Sequence, residues 1–296
     1  MEKISFNAIS IDPLPAHLFA DYDIKISVLR LDKMHPVISG NKWFKLRYYL
    51  DEARQLNKHR IVTFGGTWSN HIIATAAACR LYGFSCTGII RGEEPLVHSP
   101  TLQQANDLGM QLVFIGRSDY KRKKWPEDLP DSECYEIPEG GFGAKGAKGA
   151  ASILDYCTKE NYSHIACAAG TGTMLAGLCR ASIPPQQVIG VSVLKNNFAL
   201  QENIKMLING NPATIQIIHD FHFGCYAKYT RPLIDFINDF YRRTGIPSDF
   251  VYTGKLFFAI ADLVRRGYFP SAGKLLLVHS GGLQGNASLD KGTLIF

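Results

Sequence analysis

A lysine at the start of a helix is the first residue of this sequence that could do chemistry. Ser39-Gly40-Asn41-Lys42 contains a turn signal, and the apolar residues that recur at three- and four-residue spacing from Trp43 onward predict an amphipathic helix. Asn41 is expected to be its N-cap, which places Lys42 in the first turn, where the helix field and burial favour a neutral, imine-forming amine. By position alone, a solvent-facing lysine is the alternative, favoured roughly two to one.

A second group of residues could bind an anion. A predicted buried strand at 164–167 runs into the small residues Ala169-Gly170-Thr171-Gly172-Thr173 and then into a predicted helix at 174–180. Glycine lets backbone N–H groups converge, so this loop is expected to cradle a phosphate, with the threonine hydroxyls as further donors. It matches neither the Walker motif nor the dinucleotide fingerprint, and a turn that binds nothing is the alternative. A phosphate cradle and a reactive lysine together indicate pyridoxal 5'-phosphate, a cofactor that uses both.

A third cluster, Gly65-Gly66-Thr67-Trp68-Ser69-Asn70-His71, follows a predicted strand and begins a helix, where Ser69 or Asn70 could simply be an N-cap. Ser-Gly-Asn-Lys, Gly-Gly-x-x-Ser-Asn-His, Gly-Thr-Gly-Thr and Val251-Tyr252-Thr253-Gly254-Lys255 occur in this order along the chain. In this set the sequence resembles the 1-aminocyclopropane-1-carboxylate deaminase and D-cysteine desulfhydrase family, within the tryptophan-synthase-β-like enzymes. The resemblance extends from about Asp32 to Gly282.

The resemblance implies a role for each motif. Lys42 would hold the cofactor as a Schiff base and then move protons at Cα or Cβ, Asn70 would bond the phenolic oxygen, and Ser69 would contact the substrate carboxylate or assist proton transfer. The implied catalytic residues are Lys42, Ser69, Tyr226 and Tyr252. The implied cofactor contacts are Lys42, Asn70, Ala169, Gly170, Thr171, Gly172, Thr173, Thr253 and Ser280. The implied substrate contacts are Trp68, Ser69, Asn70 and His71. For the two tyrosines, core aromatics with satisfied hydroxyls are the alternative.

Two positions bear on the reaction. In the deaminase branch a glutamate follows the tyrosine that matches Tyr252 and holds a proton on the pyridine nitrogen; here that residue is Thr253, a weaker partner for a pyridinium. Ser280 stands where the deaminases have leucine and the desulfhydrases a small hydroxylic residue. Both differences favour α,β-elimination from D-cysteine or a related amino acid, giving a 2-oxo acid and ammonia. Ring opening of 1-aminocyclopropane-1-carboxylate, racemisation or dehydration of serine, and a non-catalytic binding protein on the same fold are the alternatives. Trp68, where a glutamine is more usual, leaves the substrate open.

The elements that must position these residues alternate along the chain. Strands are predicted at 60–64, 85–90, 111–115, 164–167, 188–193 and 274–278, and helices at 70–82 and 100–108. This alternation predicts an α/β fold with two open, twisted, mostly parallel sheets covered by helices. The glycine-rich segment 138–149 is interpreted as a linker into a helix around 150–158. We expect a smaller domain at 47–154 and a larger cofactor-binding domain at 1–46 plus 155–296, with the cofactor in the cleft between them, as the resemblance to fold type II enzymes also implies.

Composition limits the class of protein and its partners. The chain has 296 residues, 46% hydrophobic and 20% charged, with a net charge of +6, which argues against disorder and is too mild to indicate nucleic-acid binding. Seven cysteines without metal-ligand spacing suggest reduced thiols, no metal site and a cytoplasmic location. Residues 1–12 show no signal peptide, and no apolar run approaches a membrane span. The expected partners are a small amino-acid substrate and, from the resemblance, a second copy in a homodimer.

Overall fold

A computed structural model describes residues 3–126, 129, 132–208, 213–224 and 226–296. The strands in these residues are β1 (Ile11–Pro13), β2 (Ile24–Arg30), β3 (Arg60–Gly65), β4 (Ser85–Arg91), β5 (Met110–Ile115), β6 (Cys134–Ile137), β7 (His164–Ala169), β8 (Gln187–Ser192), β9 (Thr214–Ile218) and β10 (Gly273–His279). The α-helices are α1 (Asn41–Gln55), α2 (Asn70–Tyr82), α3 (Pro100–Asp107), α4 (Arg117–Lys121), α5 (Ala144–Ala151), α6 (Thr173–Ala181), α7 (Ala199–Leu207), α8 (Arg231–Thr244) and α9 (Thr253–Arg265).

The strands form two sheets. A six-stranded sheet has the order β1-β2-β10-β7-β8-β9, and a four-stranded sheet has the order β5-β4-β3-β6. Only the β1–β2 pair is antiparallel among these described strands; every other pair is parallel. The α/β fold with two mostly parallel sheets is therefore confirmed.

Helices cover both faces of the larger sheet. All six residues of β7 are buried, as expected of a central parallel strand. Ile165 and Cys167 pack in one core cluster with Leu175 of α6. Ala166 and Ala168 pack in another with Leu256 and further residues of α9. Because successive strand residues point to opposite faces, α6 and α9 lie on opposite sides of this sheet.

The β3–α2 unit of the smaller sheet forms where the sequence predicts it. Helix α2 spans Asn70–Tyr82, as predicted, because its ends carry clear signals. The Ser69 side chain accepts hydrogen bonds from the first-turn amides, and Gly83 ends the helix in the left-handed conformation at φ +77°. The loop between β3 and α2 is thereby fixed at the carboxyl end of the sheet.

The interpretation of residues 138–149 as a linker is wrong for its second half. Residues Ala144–Ala151 form helix α5, followed by a 3-10 helix at Ser152–Tyr156, so helix begins earlier than expected. A Cβ on Gly149 would lie 1.7 Å from the carbonyl oxygen of Phe44 in α1. Glycine is a poor helix former in isolation, but here it allows backbone contact between α1 and α5, and this packing outweighs propensity.

Other sequence expectations stand as follows. The domain boundaries remain a prediction; the one at 46/47 falls within the continuous helix α1. The six cysteines in the described part of the chain carry free thiols. In that part of the chain, none of the helices has both the length and the apolar character needed to cross a membrane.

Candidate active site

A cavity of about 690 Å³ lies where the two sheets meet. The loops that follow β3, β7 and β10 line it, together with the first turn of α1. Ligands of open parallel sheets bind beyond the carboxyl ends of the strands, and this cavity has that position. Its volume falls in the range of roughly 300–1,000 Å³ that is typical of small-molecule sites.

The start of α1 presents Lys42 to the cavity. The helix begins at Asn41 and its N-cap is Gly40, at φ +66° and ψ −140°, so the prediction that Asn41 is the N-cap is wrong. A Cβ at Gly40 would lie 1.8 Å from the carbonyl oxygen of Ser280, so only glycine fits there. Asn41 instead lies in the first turn. Its side-chain Nδ2 donates to Met174 Sδ at 3.3 Å, and its side-chain Oδ1 accepts from Lys42 Nζ at 3.0 Å. Lys42 lies in the first turn, as predicted.

The Lys42 amine loses its proton more easily than an exposed lysine does. Burial lowers its pKa from 10.5 to about 8, against the opposing charge of Asp249. At pH 7 about a tenth of such an amine is unprotonated, far more than for an exposed lysine. The amine also lies 5.8 Å from the centroid of the Tyr252 ring. A nucleophilic lysine is the chemistry that this position supports.

Lys45 is a second lysine in the cavity, and sequence reasoning missed its significance. Lys45 is only 6% exposed, and none of the residues that the structure describes gives its amine a hydrogen bond or an ion pair. Burial and the charge of Lys42 hold its pKa well below the usual value. A buried amine without a partner calls for an anionic ligand. The signal was the three-residue spacing from Lys42, which puts both lysines on one helix face.

The loop after β7 has the features of an anion cradle. Gly172 adopts φ +86° as the N-cap of α6 and supplies no side chain to cap the first-turn amides. Ala169, Gly170, Thr171 and Gly172 line the cavity. Thr173 does not line it, and its hydroxyl lies 2.9 Å from that of Thr171. Unsatisfied N–H groups at a helix start favour a phosphate.

The loop after β3 contributes a hydroxyl and an amide. Ser69 Oγ accepts from the amides of His71 at 3.2 Å and Ile72 at 3.3 Å, so it is the N-cap, and its own proton remains available to a ligand. Asn70 Nδ2 donates to the carbonyl of Gly282 at 3.4 Å, which leaves its second N–H for another acceptor. Asn70 Oδ1 is buried without a partner among the described atoms. Both side chains line the cavity.

The His71 ring lines the cavity, but its Nε2 proton is already donated to Thr63. Thr63 donates its only hydroxyl proton to the carbonyl of Ile137 at 2.6 Å, so at 2.9 Å it must accept from His71 Nε2. Burial, Lys42 and Lys45 lower the pKa of His71 well below normal, which keeps the ring neutral. Its Nδ1 is then an acceptor and cannot donate to a substrate carboxylate. The neighbouring Trp68 is half-buried in the cavity wall.

Two tyrosines face each other across from Lys42. The rings of Tyr226 and Tyr252 lie 6.2 Å apart at 70°, and their hydroxyls hydrogen bond. Burial raises the pKa of both, and the pKa of Tyr252 lies well above its usual value. Both phenols are therefore protonated at neutral pH; one of the two protons is used in the hydrogen bond between them, and the other is available to a ligand. Gly170 gives Tyr252 room, because a Cβ there would lie 3.3 Å from its Cε1.

Thr253 is not brought to the cavity with the other predicted residues. It is fully buried and absent from the lining; its hydroxyl donates to Asp249 Oδ1 at 2.7 Å and accepts from the Asp249 amide at 2.9 Å. Asp249 also accepts from the amides of Val251, Tyr252 and Thr253 at 2.7–2.9 Å. Asp249 thus organises the turn that presents Tyr252, a role that the sequence motif alone did not reveal. Ser280 does line the cavity, and its carbonyl accepts from the Asn41 amide at 3.2 Å.

These groups fit pyridoxal phosphate. Lys42 offers an amine with a lowered pKa. Lys45 and the loop of Gly170 and Gly172 offer charge and N–H donors to a phosphate. Asn70 offers an uncommitted N–H for an oxygen on the ring. The buried, unpartnered amine of Lys45 and the second N–H of Asn70, which has no acceptor among the described residues, both find a partner in this single ligand.

The fold and the sequence are shared with known proteins. A crystal structure described as a homologue of 1-aminocyclopropane-1-carboxylate deaminase superposes with a TM-score of 0.81 at 26% identity, covering 97% of this chain and 92% of that one. A hydrogen sulfide-producing enzyme from Fusobacterium nucleatum superposes with a TM-score of 0.68 at 14% identity, covering 97% of each chain, which shows the fold alone.

Sequence relatives carry related names. A Thermotoga maritima protein, provisionally named a 1-aminocyclopropane-1-carboxylate deaminase, is 29% identical and covers 94% of this chain and 96% of its own length. The 1-aminocyclopropane-1-carboxylate deaminase of Allorhizobium ampelinum is 27% identical, with 82% of each chain covered. Residues 13–281 match the family described as pyridoxal-phosphate dependent enzymes, and the chain therefore belongs to that family.

Proposed function

We propose that this enzyme catalyses α,β-elimination on a small amino acid, D-cysteine or a related β-substituted amino acid. With one water molecule consumed in hydrolysis, the products would be a 2-oxo acid, ammonia and the protonated leaving group. The observation that carries this proposal is the closed pair formed by Thr253 and Asp249.

The Thr253–Asp249 pair leaves no carboxylate in residues 249–253 free to stabilise a pyridinium. The Asp249 carboxylate already accepts from three backbone amides and one hydroxyl. The one carboxylate that lines the described cavity is Glu139, and it forms an ion pair with Lys123 at 2.6 Å. A ring without a held proton is a weaker electron sink, which suits a substrate with a good leaving group at Cβ better than a cyclopropane.

When bound, pyridoxal phosphate supplies an aldehyde for amines and a conjugated ring that withdraws electrons from Cα. Ser69, at the start of α2, would donate its free proton to the substrate carboxylate, and the helix N-terminus would favour that anion. Lys42, with its lowered pKa, can accept the proton from Cα. As the bond from Cβ to the leaving atom breaks, the electron pair departs with that atom. The Tyr226–Tyr252 pair, which keeps one proton outside its own hydrogen bond, can supply the proton that this atom gains.

Product analysis tests the proposal. Holoenzyme is incubated separately with D-cysteine and with 1-aminocyclopropane-1-carboxylate, and pyruvate, sulfide and 2-oxobutyrate are measured. We expect pyruvate and sulfide in equal amounts from D-cysteine and at least about 100-fold slower formation of 2-oxobutyrate, a margin equal to one general acid–base contribution. Faster release of 2-oxobutyrate would refute the proposal.

Ring opening is the second candidate, because the relative from Allorhizobium ampelinum carries the deaminase name and the superposed crystal structure is described as a deaminase homologue. The same assay decides between the two reactions. A holoenzyme that turns over neither substrate, nor serine, would favour a non-catalytic binding protein. The Lys42→Ala variant is the control for every assay, since it removes the amine but none of the other cavity groups.

A further inference from the structure

We propose that the preferred substrate carries an anionic group at the end of its β-substituent, and that Arg91 binds this group. The inference rests on the proposed function and narrows its substrate class. Among β-substituted amino acids, those that end in a carboxylate, sulfonate or phosphate would be favoured over cysteine itself.

Arg91 belongs to the same cavity as Lys42 but enters it from the smaller sheet. It is the last residue of β4, and the register of this strand with β3 pairs Ile90 with Gly65, so Arg91 lies beside Gly66. A Cβ on Gly66 would be 3.8 Å from Arg91 Nη2. The guanidinium therefore lies along the loop that continues to Ser69.

Arg91 is exposed, and no acidic side chain in the described part of the chain pairs with it. No described residue gives its guanidinium a hydrogen bond or an ion pair, and its Cζ lies 5.8 Å from the centroid of the Tyr120 ring. Glu139, the carboxylate in the described lining, is paired with Lys123. Arginine presents N–H groups in a planar fork that matches the oxygens of a carboxylate or phosphate.

The other anions expected in the cavity already have partners. The cofactor phosphate is matched by the buried Lys45 and by the loop before α6. The substrate carboxylate is matched by Ser69 at the start of α2, where the helix field favours an anion. Lys42 is used for imine chemistry. Among the described residues that line the cavity, Arg91 is the remaining cation, and Tyr226, which is 41% exposed, lines the same cavity.

Binding of an unreactive pair of amino acids tests the inference. The probes are 2-amino-3-phosphonopropionate, whose C–P bond does not eliminate, and 2-aminobutyrate, a neutral analogue, each as both enantiomers. Their dissociation constants are measured by calorimetry on holoenzyme. We expect wild type to bind the better phosphonate enantiomer about 10- to 100-fold more tightly than the neutral analogue, as one charge-assisted contact predicts.

Substitutions assign the preference to one residue. Arg91→Gln should abolish it while leaving the affinity for 2-aminobutyrate within about twofold, and Arg91→Lys should retain part of it because the charge remains but the fork is lost. The matched control is Arg80→Gln, at an exposed arginine in the last turn of α2 that lies outside the cavity and donates to the carbonyl of Asp107. Cofactor absorbance confirms that each variant is folded.

Three results would overturn the inference: no phosphonate preference in wild type, no binding of either probe, or a preference that survives Arg91→Gln. Failure of the proposed function looks different. It is the absence of pyruvate from every β-substituted amino acid tested, and it leaves the binding preference measurable.

Discussion

Replacing Lys42 by methionine should stabilise the cofactor-free protein at neutral pH. Burial lowers the pKa of this amine from 10.5 to about 8, so the folded state disfavours the charged form that the unfolded chain retains. Because one pKa unit is worth about 1.4 kcal/mol, the charged lysine costs the folded state at most about 3 kcal/mol below pH 8. Methionine has a similar length and no charge, so Lys42→Met removes that cost.

The pH dependence separates this effect from better packing. Between pH 8 and 10.5 the folded state has released the proton while the unfolded chain still binds it, so the stability of wild type rises with pH in this window. The difference between Lys42→Met and wild type should fall from about 3 kcal/mol at pH 7 to below about 1 kcal/mol at pH 10. A gain that is the same at both pH values would come from packing alone.

Urea unfolding of the cofactor-free proteins at pH 7 and pH 10 measures these differences. Lys121→Met, at an exposed position on the end of α4, is the matched control and should change stability by less than about 0.5 kcal/mol at either pH. If Lys42→Met is less stable than wild type at pH 7, the electrostatic reasoning is wrong and the amine is not held in a desolvated position.

Three further predictions concern the cavity walls. Gly40→Ala should cost more than about 3 kcal/mol in unfolding free energy, because φ is +66° and the added Cβ would meet the Ser280 carbonyl at 1.8 Å. The control is Gly83→Ala, at φ +77° with nothing within 4 Å of the added Cβ, which should cost only about 1 kcal/mol. Asn70→Ala should weaken cofactor binding about 3- to 10-fold in equilibrium dialysis, the value of one neutral hydrogen bond, and unchanged affinity would contradict the assigned contact. Tyr252→Phe should lower kcat at least about 100-fold, and because the pKa of Tyr252 lies well above its usual value, the pH profile of wild type should show no descending limb below pH 10 from this group.

Sequence patterns predicted the local elements of this fold well. The bounds of α2 follow from Ser69 and Gly83, whose capping roles depend on neighbours only a few residues away. Helix α5 was missed because the glycines that argue against a helix are there for contact with α1, which is about a hundred residues away in the sequence. Long-range packing of this kind leaves no periodic signal in the segment itself.

In the candidate site, too, local features could be predicted from the sequence and long-range contacts could not. The motifs around Lys42, Ser69 and Gly170 could be found from the sequence because each joins an element end to polar or small residues. The isolation of Lys45 and the organising role of Asp249 could not, because both depend on which groups surround a side chain in three dimensions. The close backbone contact between Gly40 and Ser280 could not be predicted either, because it joins positions 240 residues apart and involves no side chain.

The Thr253–Asp249 pair also changes what a single substitution can do. From the sequence, Thr253→Glu is the change expected to create the deaminase arrangement. In the structure that glutamate would lose the hydroxyl bond to Asp249 and place a second carboxylate against one that is fully buried. Leaving a buried charge without its partner typically costs about 3–5 kcal/mol. We therefore expect Thr253→Glu to lower the urea midpoint strongly and to release no 2-oxobutyrate, whereas Thr253→Val, which loses the hydroxyl but adds no charge, should cost only about 1–3 kcal/mol. A stable Thr253→Glu variant that opens the cyclopropane ring would show that the side chain can turn into the cavity, and the argument for elimination would fail with it.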